Sequence, residues 1–233
     1  MSILENHEDI YETQLKPIHD SLEFHPNKSQ LTRELPEQIM AITHIKPDDC
    51  VLELGGSIGR NSCVINTILN NKTHHAVIEP SPKEIITLAR NRDVNNLRFH
   101  IENSAISTIP LYSRGWYTYP TQIPGSTKIN TLSYSEFKSK YNLPFNVLVI
   151  DNEGNFPKML SDTPEILNGI RLLIIEHDFH TQNHYDFFKN TLNNKGFTLK
   201  TKFLKETKYA PGMNWADGLN TDPIFVSAWE RDL

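Results

Sequence analysis

The stretch from Val51 to Asn61, Val-Leu-Glu-Leu-Gly-Gly-Ser-Ile-Gly-Arg-Asn, constrains the fold of this chain more than any other. An apolar run broken only by Glu53 reaches three glycines, and a helical apolar pattern follows at Cys63, Val64, Ile65, Ile68 and Leu69. That reads as a buried strand, a tight turn and a helix, the opening of a nucleotide-type βαβ unit. Gly55 and Gly59, four apart, let the backbone turn sharply and a ligand approach without meeting a Cβ. About twenty residues on, a second strand, Ala76-Val77-Ile78, ends in Glu79, which is placed to accept hydrogen bonds from both hydroxyls of a ribose. The unit is suited to a ligand that carries a ribose.

The rest of the chain extends this unit. Residues 1–30 are a polar arm with Ile3, Leu4, Ile10, Tyr11 and Leu15 as anchors, expected to pack on the domain or on a second copy in a homodimer. Residues 31–233 form the main domain. Leu31, Leu35, Ile39 and Ile42 share one helical face, and Pro36 marks where that helix begins. Ser81, Pro82 and Glu84 predict a capped helix entry with a capping box. Further strands are expected over 97–101, 128–132, 145–150, 171–175, 197–204 and 223–229, with helices over 135–141, 156–167 and 185–192. Residues 110–130, rich in aromatics and broken by Pro and Gly, read as a loop insertion on the acceptor side of the domain. The last two strands are separated by a loop with Tyr209, Trp215 and Asp217 and no helical segment, so they pair antiparallel. The predicted fold is α/β, a Rossmann-like doubly wound, mostly parallel sheet with an antiparallel C-terminal strand.

Composition narrows the function classes. With 38% apolar and 22% charged residues in 233, the chain reads as an ordinary soluble globular protein. A net charge of −5 argues against broad nucleic-acid binding, which wants a basic face. No apolar run approaches the roughly 20 residues of a membrane helix, and the N-terminus lacks the pattern of a signal peptide. A cytoplasmic location is expected. Cys50 and Cys63, which flank the glycine turn, are expected to be buried and reduced.

Four segments together resemble the S-adenosylmethionine-dependent methyltransferases, and within them the FkbM family. Glu53-Leu54-Gly55-Gly56-Ser57-Ile58-Gly59 resembles the superfamily's E/D-x-G-x-x-x-G. Lys128-Ile129-Asn130-Thr131-Leu132-Ser133 resembles the family's "v-x-T-L-D", with Ser133 in place of Asp. Val149-Ile150-Asp151-Asn152-Glu153-Gly154 resembles "K-I-D-V-E-G", with Val149 and Asn152 as departures, and Leu173-Ile174-Ile175-Glu176-His177 resembles the late "i-x-x-E" strand. The resemblance implies the class I methyltransferase fold, S-adenosylmethionine as cofactor and S-adenosylhomocysteine as product. It also implies O-methylation of a hydroxyl on a sugar, glycan or related natural product.

Site residues follow from both readings. Glu53, Gly55, Gly56, Ser57, Gly59 and Asn61 are expected to bind the cofactor, with Ser57, Arg60 and Asn61 near its methionine carboxylate, Glu79 at its ribose and Ser104 by its adenine. Asp151 and Glu153, at the end of a central strand, would face the cofactor and the reaction. Glu176, His177 and Asp178 end the next strand; alternation of side chains forbids all three from pointing inward, and His177 is the natural general base. A divalent metal on Asp151 with Glu176 or Asp178 is the alternative way to activate a hydroxyl, although no metal site is predicted. Trp116, Tyr117 and Tyr119 are candidates for a platform under a small-molecule or carbohydrate acceptor. Two rival readings are a catalytically silent scaffold and an NAD(P)-dependent short-chain reductase using Tyr134 and Lys138.

Overall fold

The computed structural model describes residues 2, 3, 7–205 and 223–232; Leu4, Tyr209, Trp215 and Asp217 lie outside them. In chain order, β1 (Ser2–Ile3) precedes α1 (His7–Ile10), a π-helical turn and α2 (Lys16–Ser21). A 3₁₀ segment (Lys28–Glu34) leads into α3 (Leu35–His44), which carries Pro36 in its first turn. The nucleotide-type unit is β2 (Val51–Leu54), α4 (Arg60–Ile68) and β3 (His75–Ile78), followed by α5 (Glu84–Val94) and β4 (His100–Glu102). After β5 (Ala105–Ile106) come β6 (Leu111–Arg114), β7 (Tyr117–Tyr119), β8 (Thr127–Ile129) and β9 (Thr131–Leu132). The chain then forms α6 (Tyr134–Tyr141), β10 (Val147–Ile150), α7 (Phe156–Asp162), β11 (Leu172–Glu176), α8 (Gln182–Asn194), β12 (Thr198–Leu204) and β13 (Ile224–Glu230).

The main sheet has eight strands in the order β1-β12-β13-β11-β10-β2-β3-β4. Strands β4, β3, β2, β10 and β11 run parallel, and β13 is antiparallel to both β11 and β12. This is the expected Rossmann-like, mostly parallel sheet with an antiparallel C-terminal strand. Its middle strands are apolar almost throughout because helices cover both faces. Leu52, Leu54, Leu148, Ile150, Leu173 and Ile175 pack on the α6–α8 side. Val51, Val147, Val149, Leu172 and Ile174 pack with Leu35, Ile39 and Val64 from α3 and α4. This alternation decides which strand-end residues meet.

Several expectations shift. Residues 110–130 are not irregular: β6, β7 and β8 form a three-stranded antiparallel sheet of their own. The expected strand over 128–132 is split between β8 and β9, which belong to different sheets. Ser81 Oγ accepts the Glu84 N–H at 3.3 Å, but the Ser81 N–H goes to Glu79 rather than Glu84, so the capping box is not closed. Within the N-terminal segment, Leu15, Leu22 and Phe24 are buried in the core. Both cysteines are free and buried, as expected. Among the described residues, no helix is long and apolar enough to cross a membrane.

Candidate active site

A cavity of about 930 Å³ opens at the carboxyl ends of the central strands, lined by Leu54, Ile78, Asp151 and Glu176 among others. It lies where β2 leads outward to β3 on one side while β10 lies on the other, the switch point where ligands of open α/β sheets bind.

The glycine turn forms one wall. Gly55 has φ +94°, and a Cβ there would sit 1.6 Å from the Asp151 carbonyl oxygen. The glycine is needed because the ends of β2 and β10 touch. Gly56 and Gly59 serve packing: Cβ atoms on them would meet Val77 Cγ1 at 2.3 Å and Leu88 Cδ1 at 2.8 Å. Of the three, only Gly55 lines the cavity.

Ser57 follows with φ +45°, and Glu153 across the cavity has φ +55°. The other described non-glycine residues with positive φ are Asn96 and Asn142, a type that tolerates it. Two strained residues thus flank one cavity, which is where functional strain collects.

Glu79 is buried at the end of β3. Its Oε2 accepts the Ser57 N–H at 2.7 Å and its Oε1 the Ser81 N–H at 2.6 Å. Burial pushes its carboxyl up to about 7, against the pull of those two amides. Asn103 Nδ2 donates to the Glu79 carbonyl and braces the strand end. Ala105 and Ile106 line the cavity beyond it.

Glu53, Asn61 and Ser104 do not line the cavity. Glu53 shares a face with Val51, so it points into the layer beneath α4, where its Oε2 meets His75 Nε2 at 2.9 Å. Asn61 and Ser104 are buried. Arg60 does line the cavity, but it is held by Glu34 at 2.7 Å and by Gln30.

The opposite wall is acidic. Ile150 pairs with Ile175, so the next residues of the two strands, Asp151 and Glu176, lie side by side. Both share the face of Val149 and Ile174, toward α3. Asp178, two residues beyond Glu176, joins them: one oxygen of each lies within 4.8 Å of the others. Glu176 is hydrogen-bonded to both aspartates. A hydrogen bond between carboxyls requires a proton, and the carboxyls of Asp151 and Glu176 are held well above their ordinary range, first by burial and then by neighbouring negative charge. Glu153 lines the same wall.

His177 falls on the other face. Its Nε2 meets Ser227 Oγ at 2.6 Å, and Phe179, Tyr185 and Phe188 surround its ring. Strand alternation turns the imidazole ring into the aromatic layer while Glu176 and Asp178 face the acidic cluster, and His177 also borders the cavity.

At the mouth stand Trp116, 62% exposed, and Tyr117, whose ring lies 6.2 Å from that of His180. Tyr119, further along β7, is not part of the lining. Neither Tyr134 nor Lys138 lines the cavity: Tyr134 is buried, and Lys138 Nζ donates to the Leu143 carbonyl. The reductase reading therefore lacks its tyrosine–lysine pair at the site.

Sequence reasoning missed Glu37. This α3 residue is 3% exposed, lines the cavity, and feels the charges of Glu34, Asp151 and Asp178. An acidic residue in a helix's first turn looks like an ordinary solvated partner of the helix dipole, so the sequence carries no sign of its burial.

No protein-family model matches the chain, and no curated protein matches it. Solved structures do. An O-methyltransferase from Bacillus cereus in complex with S-adenosylhomocysteine superposes with a TM-score of 0.50 at 13% identity, covering 97% of this chain and 90% of that one. A candidate O-methyltransferase from Klebsiella pneumoniae gives 0.52 at 11% identity, with 99% and 97% covered. An rRNA methylase from Streptococcus thermophilus gives 0.51 at 7% identity, with 84% and 94% covered. At these identities the likeness is one of fold.

Proposed function

We propose that this protein is an S-adenosylmethionine-dependent O-methyltransferase of FkbM type that acts on a hydroxyl of a sugar, glycan or related natural product. The observation that carries the reading is Glu79, held by the Ser57 and Ser81 amides at the rim of the switch-point cavity. Each carboxylate oxygen takes one amide and retains a lone pair for a ribose hydroxyl. Ser57 at the entry to α4 would hold the methionine end, and Ala105 and Ile106 an adenine face. A cavity of about 930 Å³ has room for cofactor and acceptor together. The residues present fit the cofactor.

Bound S-adenosylmethionine supplies an electrophilic methyl group. The chain supplies orientation and a proton acceptor. Asp151, Glu153 and Glu176 present acceptor oxygens suited to a polyhydroxylated ligand, and Trp116 and Tyr117 offer aromatic faces for a sugar ring. Asp151, which already accepts a hydrogen bond from Glu176, is placed to take up the acceptor hydroxyl's proton. Holding the acceptor oxygen in line lowers the barrier further. An acidic wall on a chain of net charge −5 favours such an acceptor over a polyanion.

Ser133 supports the family reading. It N-caps α6 with a closed capping box to Glu136, the task an Asp performs equally well. The departure from the family pattern therefore conserves its physical role.

Calorimetric titration with S-adenosylmethionine and, separately, NAD(P)H tests the proposal, with Glu79→Ala alongside. S-adenosylmethionine should bind, and the variant should lose that binding while keeping its circular dichroism. Binding of a nicotinamide cofactor instead would overturn the reading. Binding of neither would leave the scaffold alternative.

A further inference from the structure

The acidic wall gathers more carboxyl groups than proton acceptance requires. Asp151, Glu176 and Asp178 each present an oxygen within 4.8 Å of the other two, a span that ligand atoms on opposite sides of one cation also show. All three come from ends of adjacent parallel strands, a rigid base for a small site. The ligand atoms are hard carboxylate oxygens, with no thiol among them.

Glu37 is an independent observation. It reaches the same cavity from α3, a different element, and is 3% exposed. Its Oε2 is buried with no hydrogen-bond partner among the described residues. A buried carboxylate oxygen without a partner is costly, and a ligand beside it removes the cost. The neighbouring charges do not supply one. Glu34 is engaged by Arg60, Glu153 adds negative charge, and Lys205, His177 and His180 act on Asp178.

We propose that Asp151, Glu176 and Asp178, with Glu37 beside them, bind one hard divalent cation of the Mg²⁺, Mn²⁺ or Ca²⁺ class. Cation binding itself is independent of the methyltransferase reading. Its placement next to the acceptor hydroxyl, whose ionisation it would favour, rests on that reading.

The test is electron paramagnetic resonance of Mn²⁺ titrated into the full chain, with Asp178→Asn and Glu37→Gln compared and the fold checked by circular dichroism. Wild type should bind one Mn²⁺ that Mg²⁺ or Ca²⁺ displaces, and each variant should bind at least about tenfold more weakly. Mn²⁺ should also raise the melting temperature of the wild type more than that of either variant, a readout that remains if a variant is only marginally folded. Absence of Mn²⁺ binding to folded wild type at millimolar concentration, or equal binding by all three proteins, would overturn the site. Calorimetry with S-adenosylmethionine on the same preparation separates the two ideas. Cofactor binding without Mn²⁺ binding sinks the cation site alone; Mn²⁺ binding without cofactor binding sinks the methyltransferase reading alone.

Discussion

Ser57 donates its backbone N–H to Glu79 Oε2 at 2.7 Å, joining the glycine turn after β2 to the end of β3 across the cavity rim. The bond fixes the carboxylate where a ribose would reach it and stabilises a serine at φ +45°.

The same carboxylate predicts a pH dependence. Burial pushes Glu79 up to about 7 from its ordinary 4.5. Ribose hydroxyls donate, so they favour the ionised form, and the ionised fraction grows about tenfold between roughly pH 6 and pH 8. Cofactor affinity should therefore rise by up to about tenfold over that interval, while Glu79→Gln, which cannot ionise, should bind weakly with a flat profile. Calorimetry across the range checks both. Stability should move oppositely: with the folded pKa above the unfolded one, the Glu79 contribution is complete below about pH 4.5 and lost as pH climbs to about 7.

Gly55 should be intolerant of any side chain. A Cβ at φ +94° would lie 1.6 Å from the Asp151 carbonyl oxygen, and neither backbone strand end can yield. Gly55→Ala is expected to cost more than about 3 kcal/mol or to prevent folding. Gly196 also has positive φ, +82°, but nothing lies within 4 Å of its Cβ position. Gly196→Ala should cost only the backbone term, about 1–2 kcal/mol. Thermal melts of the two variants give the comparison.

Much of this was legible in the sequence because local chemistry dictated it. The apolar runs 51–54, 75–78 and 147–150 demanded a sheet buried on both faces, and the lack of a helical sequence pattern between the last two strand segments pointed to an antiparallel pair. Glu79, Asp151 and Glu176 were legible because each ends such a run. Facing direction at a distance was not. Whether Glu53 met a ligand or His75 depended on which layer Val51 faced, and whether Glu37 was solvated depended on how α3 crosses the strand ends. The hairpin over 111–119 was hidden because its aromatic alternation is interrupted by Gly115 and Trp116 at the turn.

Glu53 and Glu79 should therefore separate cleanly in experiment. Glu53→Ala leaves the fully buried His75 without its 2.9 Å partner, a loss expected to cost roughly 3 kcal/mol. Below its lowered melting temperature the variant should still bind S-adenosylmethionine. Glu79→Ala should show the reverse, with binding gone at a smaller loss of stability. Loss of binding in folded Glu53→Ala would mean that the β2 carboxylate reaches the cofactor after all.

Trp116 tests the acceptor side. It is 62% exposed at the hairpin turn, so Trp116→Ala opens no cavity in the core, and stability should change by no more than about 0.5 kcal/mol. A ring that only covers a minor core would leave kinetics untouched. A ring that stacks on a sugar contributes about 1 kcal/mol to acceptor binding, roughly a fivefold rise in acceptor KM when it is removed. Cofactor affinity and kcat should hold, because Trp116 stands at the mouth rather than beside Glu79 or Asp151. Trp116→Phe, which keeps an aromatic face, should recover most of the loss. An acceptor KM unchanged in Trp116→Ala would remove the platform from the mechanism and return the hairpin to a structural role.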